Sequence, residues 1–81
     1  MNYQTVFDQT KQILMDYLRV NEEEITPDTH LVNDLIADSI ALVELGFRLA
    51  ETFNIPMPQP TDELYIMKNL VQFLTDQINA A

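Results

Sequence analysis

Along residues 3–20 the apolar side chains fall at Tyr3, Val6, Phe7, Ile13, Leu14, Tyr17 and Leu18. Steps of three and four predict a helix with one buried stripe. Asn2 stands where an N-cap belongs, and Asp8, Lys11, Gln12 and Asp16 fill the opposite face. Asn21-Glu22-Glu23-Glu24 then breaks the pattern. Pro27 biases Thr26 away from helix. Residues 21–37 therefore read as a loop with one short helical turn near residues 31–35, anchored to the core through Ile25, Leu31 and Leu35.

A second helix is predicted over residues 39–53. At about 100° per residue, two apolar ridges emerge from it. Leu42, Leu45, Leu49 and Phe53 form one, and Ile40, Val43, Phe47 and Ala50 form the other. Ala41, Glu44, Arg48, Glu51 and Thr52 lie between them on the far side. This arc is wider than one core contact requires. Periodicity alone favours burial on two sides; the alternative is that one ridge is a docking surface. Pro56, Pro58 and Pro60 exclude helix from residues 54–60. Thr61 is the predicted N-cap of the next helical stretch, in which Leu64, Met67, Leu70, Val71, Phe73, Leu74 and Ile78 keep helical spacing. A short helix followed by a longer one fits there, with a break near Ile66. The implied fold is all-α: a small four-helix bundle of three main helices plus a short one.

Composition narrows the function. The chain has 81 residues, room for one small domain, and 47% of them are apolar, too many for a disordered acidic tail. It has no cysteine, so any reactive thiol must come from a cofactor. Its single glycine, Gly46, argues against a β-rich fold with many tight turns. The net charge of −9 repels nucleic acid and anionic lipid. It either attracts partners with basic docking patches or merely keeps a small protein soluble. No apolar run approaches the ~20 residues of a membrane span, and residues 1–4 carry no signal-peptide pattern. A cytoplasmic, monomeric protein is the expectation.

Few residues offer chemistry. A nucleophilic enzyme built on Ser39 would need a base, and His30 is the only histidine. Any chain with one serine, one histidine and several aspartates offers that arrangement, so His30 reads as a surface or capping residue. Phosphate-loop, metalloprotease and zinc spacings are absent. Asp28, Asn33, Asp34 and Asp38 lack the central glycine of a calcium loop, so no specific metal site is expected. The run Glu22–Glu24 reads as solvated charge, and Met15, Met57 and Met67 read as core filler. Ser39 remains, preceded by Asp38 at the start of the second helix. Either residue suits the cap. A helix start also presents free N–H groups and the positive end of the macrodipole, a favourable setting for a phosphodiester on Ser39.

The context of that serine resembles the acyl carrier protein family over nearly the whole length. Glu22-Glu23-Glu24-Ile25-Thr26-Pro27-Asp28 leads to Asn33-Asp34-Leu35; Asp38-Ser39-Ile40 precedes Val43-Glu44-Leu45; Phe53-Asn54-Ile55-Pro56 is similar to the family's end of the second helix. The resemblance implies one acyl carrier domain over residues 1–81. It implies a 4′-phosphopantetheine arm on Ser39, attached by a phosphopantetheinyl transferase, with Asp38 positioning metal and coenzyme A in that complex. The arm's thiol carries acyl groups as thioesters between acyltransferases, ketosynthases or acyl ligases, and the carrier itself is not an enzyme. The resemblance also turns one ridge outward. Ile40, Val43 and Phe47 become apolar docking contacts, with Glu44 and Glu51 as acidic ones. Leu42, Leu45, Leu49 and Phe53 would line the core, where an acyl chain can insert.

Several positions depart from the family pattern. Ile36 stands where glycine is common, Ala41 and Ala50 where acids are frequent, and Arg48 and Phe47 add a cation and bulk to the recognition helix. The resemblance implies fatty acid, polyketide or related specialised acyl biosynthesis, and these differences suggest a specialised carrier, for a polyketide, a modified acyl chain or a dedicated biosynthetic cluster. An aminoacyl or peptidyl carrier and a cofactor-free acidic interaction module are the competing readings.

Overall fold

The computed structural model describes residues 1–59 and 61–80, and Pro60 of the expected non-helical stretch lies outside them. Helix α1 spans Tyr3–Leu18 and opens as expected: Asn2 Oδ1 accepts the Thr5 N–H at 2.8 Å. It stops two residues short of Val20 because Arg19 turns left-handed, with φ 57° and ψ 43°. Val20 still packs on the core from beyond that turn, which is why the apolar spacing outlasts the helix. Helix α2 spans Ser39–Phe53, as the spacing predicted, and ends on left-handed Asn54, whose N–H and that of Ile55 both reach Ala50 O. Helix α3 spans Met67–Ala80, preceded by a single 3-10 turn at Glu63–Tyr65, so the break falls at Ile66. That turn begins as predicted in one respect, since Thr61 Oγ1 accepts the Leu64 N–H at 3.3 Å.

The acidic run differs from its expectation as a plain charged loop. Glu22–Glu24 is a 3-10 turn in which Asn21 N–H donates to Glu24 Oε2 at 2.7 Å and Glu24 N–H to Asn21 O at 3.0 Å. Asn at the cap and Glu three residues later is the capping-box pairing, and it outweighs the repulsion of three adjacent carboxylates.

α1 packs against both α2 and α3. Val6 and Leu14 of α1, Leu45 and Leu49 of α2, and Val71 and Leu74 of α3 meet in the core. Ile25, Leu31 and Leu35 close it from the long connection, as expected. Two polar side chains share this interior. Thr75 Oγ1 donates to Val71 O at 2.7 Å. Thr10 Oγ1 is buried without a partner among the described residues, a cost of about 1–3 kcal/mol.

The connection is tied to the start of α3 by its backbone. Lys68 N–H reaches Pro27 O and Met67 N–H reaches Thr29 O, both at 2.8 Å. Those two donors have no partner within the first turn of a helix, so loop carbonyls do the work of a side-chain cap. Leu31 N–H in turn donates to Tyr65 O at 2.8 Å. Thr29 is buried and braces the loop from inside, donating to Glu24 O and accepting from Thr26 N–H. Near residues 31–35 the chain makes successive turns, with Asp34 and Leu35 N–H both reaching His30 O. The result is a small all-helical bundle. No helix among the described residues is long and apolar enough to cross a membrane.

Candidate functional site

The start of α2 separates the two residues that the sequence left as alternative caps. Asp38 is the cap: its φ is −84°, its ψ 176°, and its Oδ1 accepts the Ala41 N–H at 2.7 Å. Asp38 O accepts Leu42 N–H at 3.0 Å. Ser39 is then the first helical residue, exposed, and its hydroxyl takes no part in the cap. The N–H groups of Ser39 and Ile40 have no acceptor among the described residues. An exposed hydroxyl thus stands beside two open donors at the positive end of the helix dipole.

The chain reaches this point under strain. Ile36 has φ 58°, a conformation that a β-branched side chain rarely adopts, at a cost of about 1–2 kcal/mol. Its side chain is 77% exposed, so burial does not offset that cost. The backbone of this turn is held instead by Ile36 N–H to Val32 O at 3.1 Å and Ala37 N–H to Leu31 O at 3.0 Å.

Beyond Ser39 the outer ridge of α2 is open. Ile40 is 77% exposed, Val43 51% and Phe47 57%. Burial of α2 on two sides, which periodicity alone favoured, is therefore corrected: only Leu45, Leu49 and Phe53 are fully buried, with Leu42 and Ala50 partly so. The ridge divides two depressions. On the α1 side a cleft of ≈ 380 Å³ is lined by Phe47, Glu44, Glu51, Arg48, Ile13 and Asp16. The two acids differ there. Glu44 Oε1 lies 3.6 Å from Arg48 Nε, and the Arg48 guanidinium sits 4.9 Å over the Tyr17 ring. Glu51 is exposed and pairs with no cation among the described residues.

On the other side a groove of ≈ 250 Å³ begins at Ser39 and runs along Leu42, Gly46 and Leu49, with Met57, Pro58 and Tyr65 opposite. Sequence reasoning missed that far wall. Its signal was present in the prolines, which keep residues 55–59 extended beside α2, but nothing in the pattern said which way the strap faces. Met57 is not core filler: it is 39% exposed at the groove, whereas Met67 is fully buried and Met15 is partly buried against the core.

His30 caps, as expected, but it is less of a surface residue than the sequence implied. Nδ1 accepts the Val32 and Asn33 N–H groups, both at 3.1 Å, which places the ring proton on Nε2, 3.2 Å from Asp62 Oδ1. Tyr65 packs edge-on against the ring at 5.9 Å. Nδ1 is engaged by the loop backbone and Nε2 by Asp62, so His30 has no free nitrogen to serve as a base for Ser39.

A family model described as a phosphopantetheine attachment site matches residues 8–61, a span that contains Ser39. The acyl carrier protein of Guillardia theta is 32% identical over 81 residues, covering 99% of this chain and 100% of its own. The chain belongs to the acyl carrier protein family. Other members are similar over most of their length. The acyl carrier protein of Wolinella succinogenes is 34% identical over 70 residues, covering 85% of this chain and 92% of its own. That of Clostridium perfringens is 36% identical over 72 residues, covering 88% and 95%. Membership in this family brings a covalently attached 4′-phosphopantetheine. The start of α2 fits such a group: the Ser39 hydroxyl is exposed and uncommitted, and the neighbouring open N–H groups suit an anion.

Proposed function

We propose that Ser39 is the attachment point and that residues 1–81 act as one acyl carrier domain without catalytic activity of its own. The observation that carries this reading is the division of labour at α2: Asp38 caps the helix and leaves the Ser39 hydroxyl exposed. The prosthetic arm supplies a thiol, which the chain's own sequence lacks, and holds acyl groups as thioesters. Asp38 keeps one carboxylate oxygen on the cap, so its other oxygen is the one offered to a metal and coenzyme A when a phosphopantetheinyl transferase docks.

Ile40, Val43 and Phe47 form the apolar part of the docking face. Exposed apolar side chains on one contiguous ridge mark an interaction surface. Glu51 supplies the principal acid, and Glu44 a weaker one because Arg48 already faces it. The net charge of −9 favours partners with basic patches. Acyltransferases, ketosynthases and acyl ligases of a specialised pathway, polyketide or modified fatty acid, are the partners proposed. The groove from Ser39 to Leu49 is the space for the acyl chain.

Intact mass tests the carrier reading after incubation with coenzyme A and a promiscuous phosphopantetheinyl transferase, beside Ser39→Ala. One added phosphopantetheine, absent from the variant, is expected. Modification of the variant would place the arm elsewhere, and no addition to folded protein by several transferases would favour a cofactor-free interaction module.

A further inference from the structure

Gly46 is the chain's one glycine, and it stands in the middle of α2. Its φ is not positive, so the backbone does not call for glycine there. A glycine weakens a helix interior relative to alanine. What the position does require is room. A Cβ on residue 46 would lie 2.8 Å from Met57 Cε and 3.5 Å from Met57 Cγ. The Met57 side chain therefore rests directly on bare helix backbone.

Met57 is restrained and free in different parts. Pro56 and Pro58 flank it, and each fixes its own φ, while Pro58 keeps Met57 extended. Its side chain has three rotatable bonds, and it is 39% exposed, unlike the wholly buried Met67. The main chain is thus fixed and the thioether arm can move without disturbing the core. That arm lies across the groove that starts at Ser39, among Leu42, Leu49 and Leu70.

We infer that Met57 is the specificity-determining residue for acyl-chain length, and that Gly46 provides the space the thioether occupies. This rests on the proposed reading of the groove as the site of the acyl chain. A short alkyl chain lies between Ser39 and the Met57 arm. A longer one must swing the arm toward solvent. Leu42, Leu49, Met57 and Leu70 make the walls around the thioether apolar, so each added methylene of the chain gains contact there.

The test uses a promiscuous phosphopantetheinyl transferase to load acetyl, butyryl, hexanoyl, octanoyl and decanoyl 4′-phosphopantetheine onto Ser39 from the acyl-coenzyme A esters, with release of adenosine 3′,5′-bisphosphate, and reads the Tm of each form. In the native protein Tm rises with chain length and then levels off. In Met57→Ala the plateau moves to longer chains, by about three carbons, since the truncation removes Cγ, Sδ and Cε. Gly46→Ala displaces the thioether, so it shifts the length profile more in the native background than in the Met57→Ala background, where only its own methyl is felt. The same plateau in native protein and Met57→Ala would overturn the assignment of Met57 while leaving the groove intact. A Tm independent of chain length in every variant would overturn the groove reading itself, and this inference with it. Intact mass verifies loading in each case, so failure to modify Ser39 is seen separately.

Discussion

The two apolar ridges of α2 look alike in sequence and have opposite fates in the structure. Leu45 and Leu49 each retain 2% of their surface, whereas Ile40, Val43 and Phe47 each leave more than half exposed. Both ridges carry large side chains in the same helical register. The difference comes from what lies across from them. α1 packs against both α2 and α3, and the inner ridge shares one core with Leu14, Val71 and Leu74; no described element covers the outer one. Fully burying a leucine is worth about 1.5–3 kcal/mol, so the inner ridge holds the fold together. The outer ridge leaves that stabilisation unused, and in the proposed function it is the face that meets another protein. One helix therefore buries one apolar ridge and exposes the other, with Ser39 at its head; the proposed function assigns recognition to the exposed one.

Leu49→Ala puts the greatest strain on this division. It removes a buried side chain from the junction of the helices, and equilibrium unfolding should show a loss of about 2–5 kcal/mol. Modification of Ser39 should persist as long as the protein remains folded. A loss near zero would mean that the inner ridge is not the core. Asp38→Ala acts at the head of the helix: loss of the cap should cost about 1 kcal/mol in urea unfolding, and transfer of phosphopantetheine should fall further than that loss explains. Asp38→Asn restores the cap but not the charge. It should recover stability and leave transfer impaired, which separates the two roles.

Ile36→Gly should do the reverse, stabilising by about 1 kcal/mol, the relief of left-handed strain less the added freedom of the unfolded chain. A destabilised Ile36→Gly would show that the isoleucine side chain makes a contact that its exposure does not suggest. The smallest effects on stability belong to the acids. Glu44→Lys and Glu51→Lys should each change it by less than about 0.5 kcal/mol. Glu51→Lys should slow partner turnover and flatten its salt dependence more than Glu44→Lys, because Arg48 already offsets Glu44. Equal effects would mean that the Glu44–Arg48 pair opens on docking.

The same contrast sets the limits of what the sequence disclosed. The three helices, the Asn2 cap, the break at Ile66 and the α2 bounds were legible because each rests on local rules: apolar spacing, cap chemistry and proline. The burial of one α2 ridge and the exposure of the other were not, since periodicity reports which faces are apolar and not what stands opposite. Only the family resemblance turned the ridge outward. The choice of Asp38 over Ser39 as cap was open because both are favoured residues there. The capping box at Glu22–Glu24 was legible in principle, as Asn21 followed by Glu24, but the run of acids drew the reading toward simple solvation. The groove's far wall depended on the direction of the 55–59 strap, a tertiary fact. The left-handed turn at Ile36 was hidden because no local rule places a β-branched residue there, although the family's usual glycine at that position was a signal for it.

The most direct measurement pairs Ile40→Ala with Leu49→Ala, and reads for each the unfolding free energy and kcat/KM for phosphopantetheine transfer onto Ser39. The account predicts that Ile40→Ala unfolds within about 0.5 kcal/mol of the native protein and loses transfer about tenfold, a truncation effect of about 1.4 kcal/mol on partner binding. Leu49→Ala should show a large stability loss with transfer retained in the folded fraction. Ile40→Ala that unfolds as readily as Leu49→Ala, with transfer unchanged, would contradict the division of α2 into a core face and a recognition face.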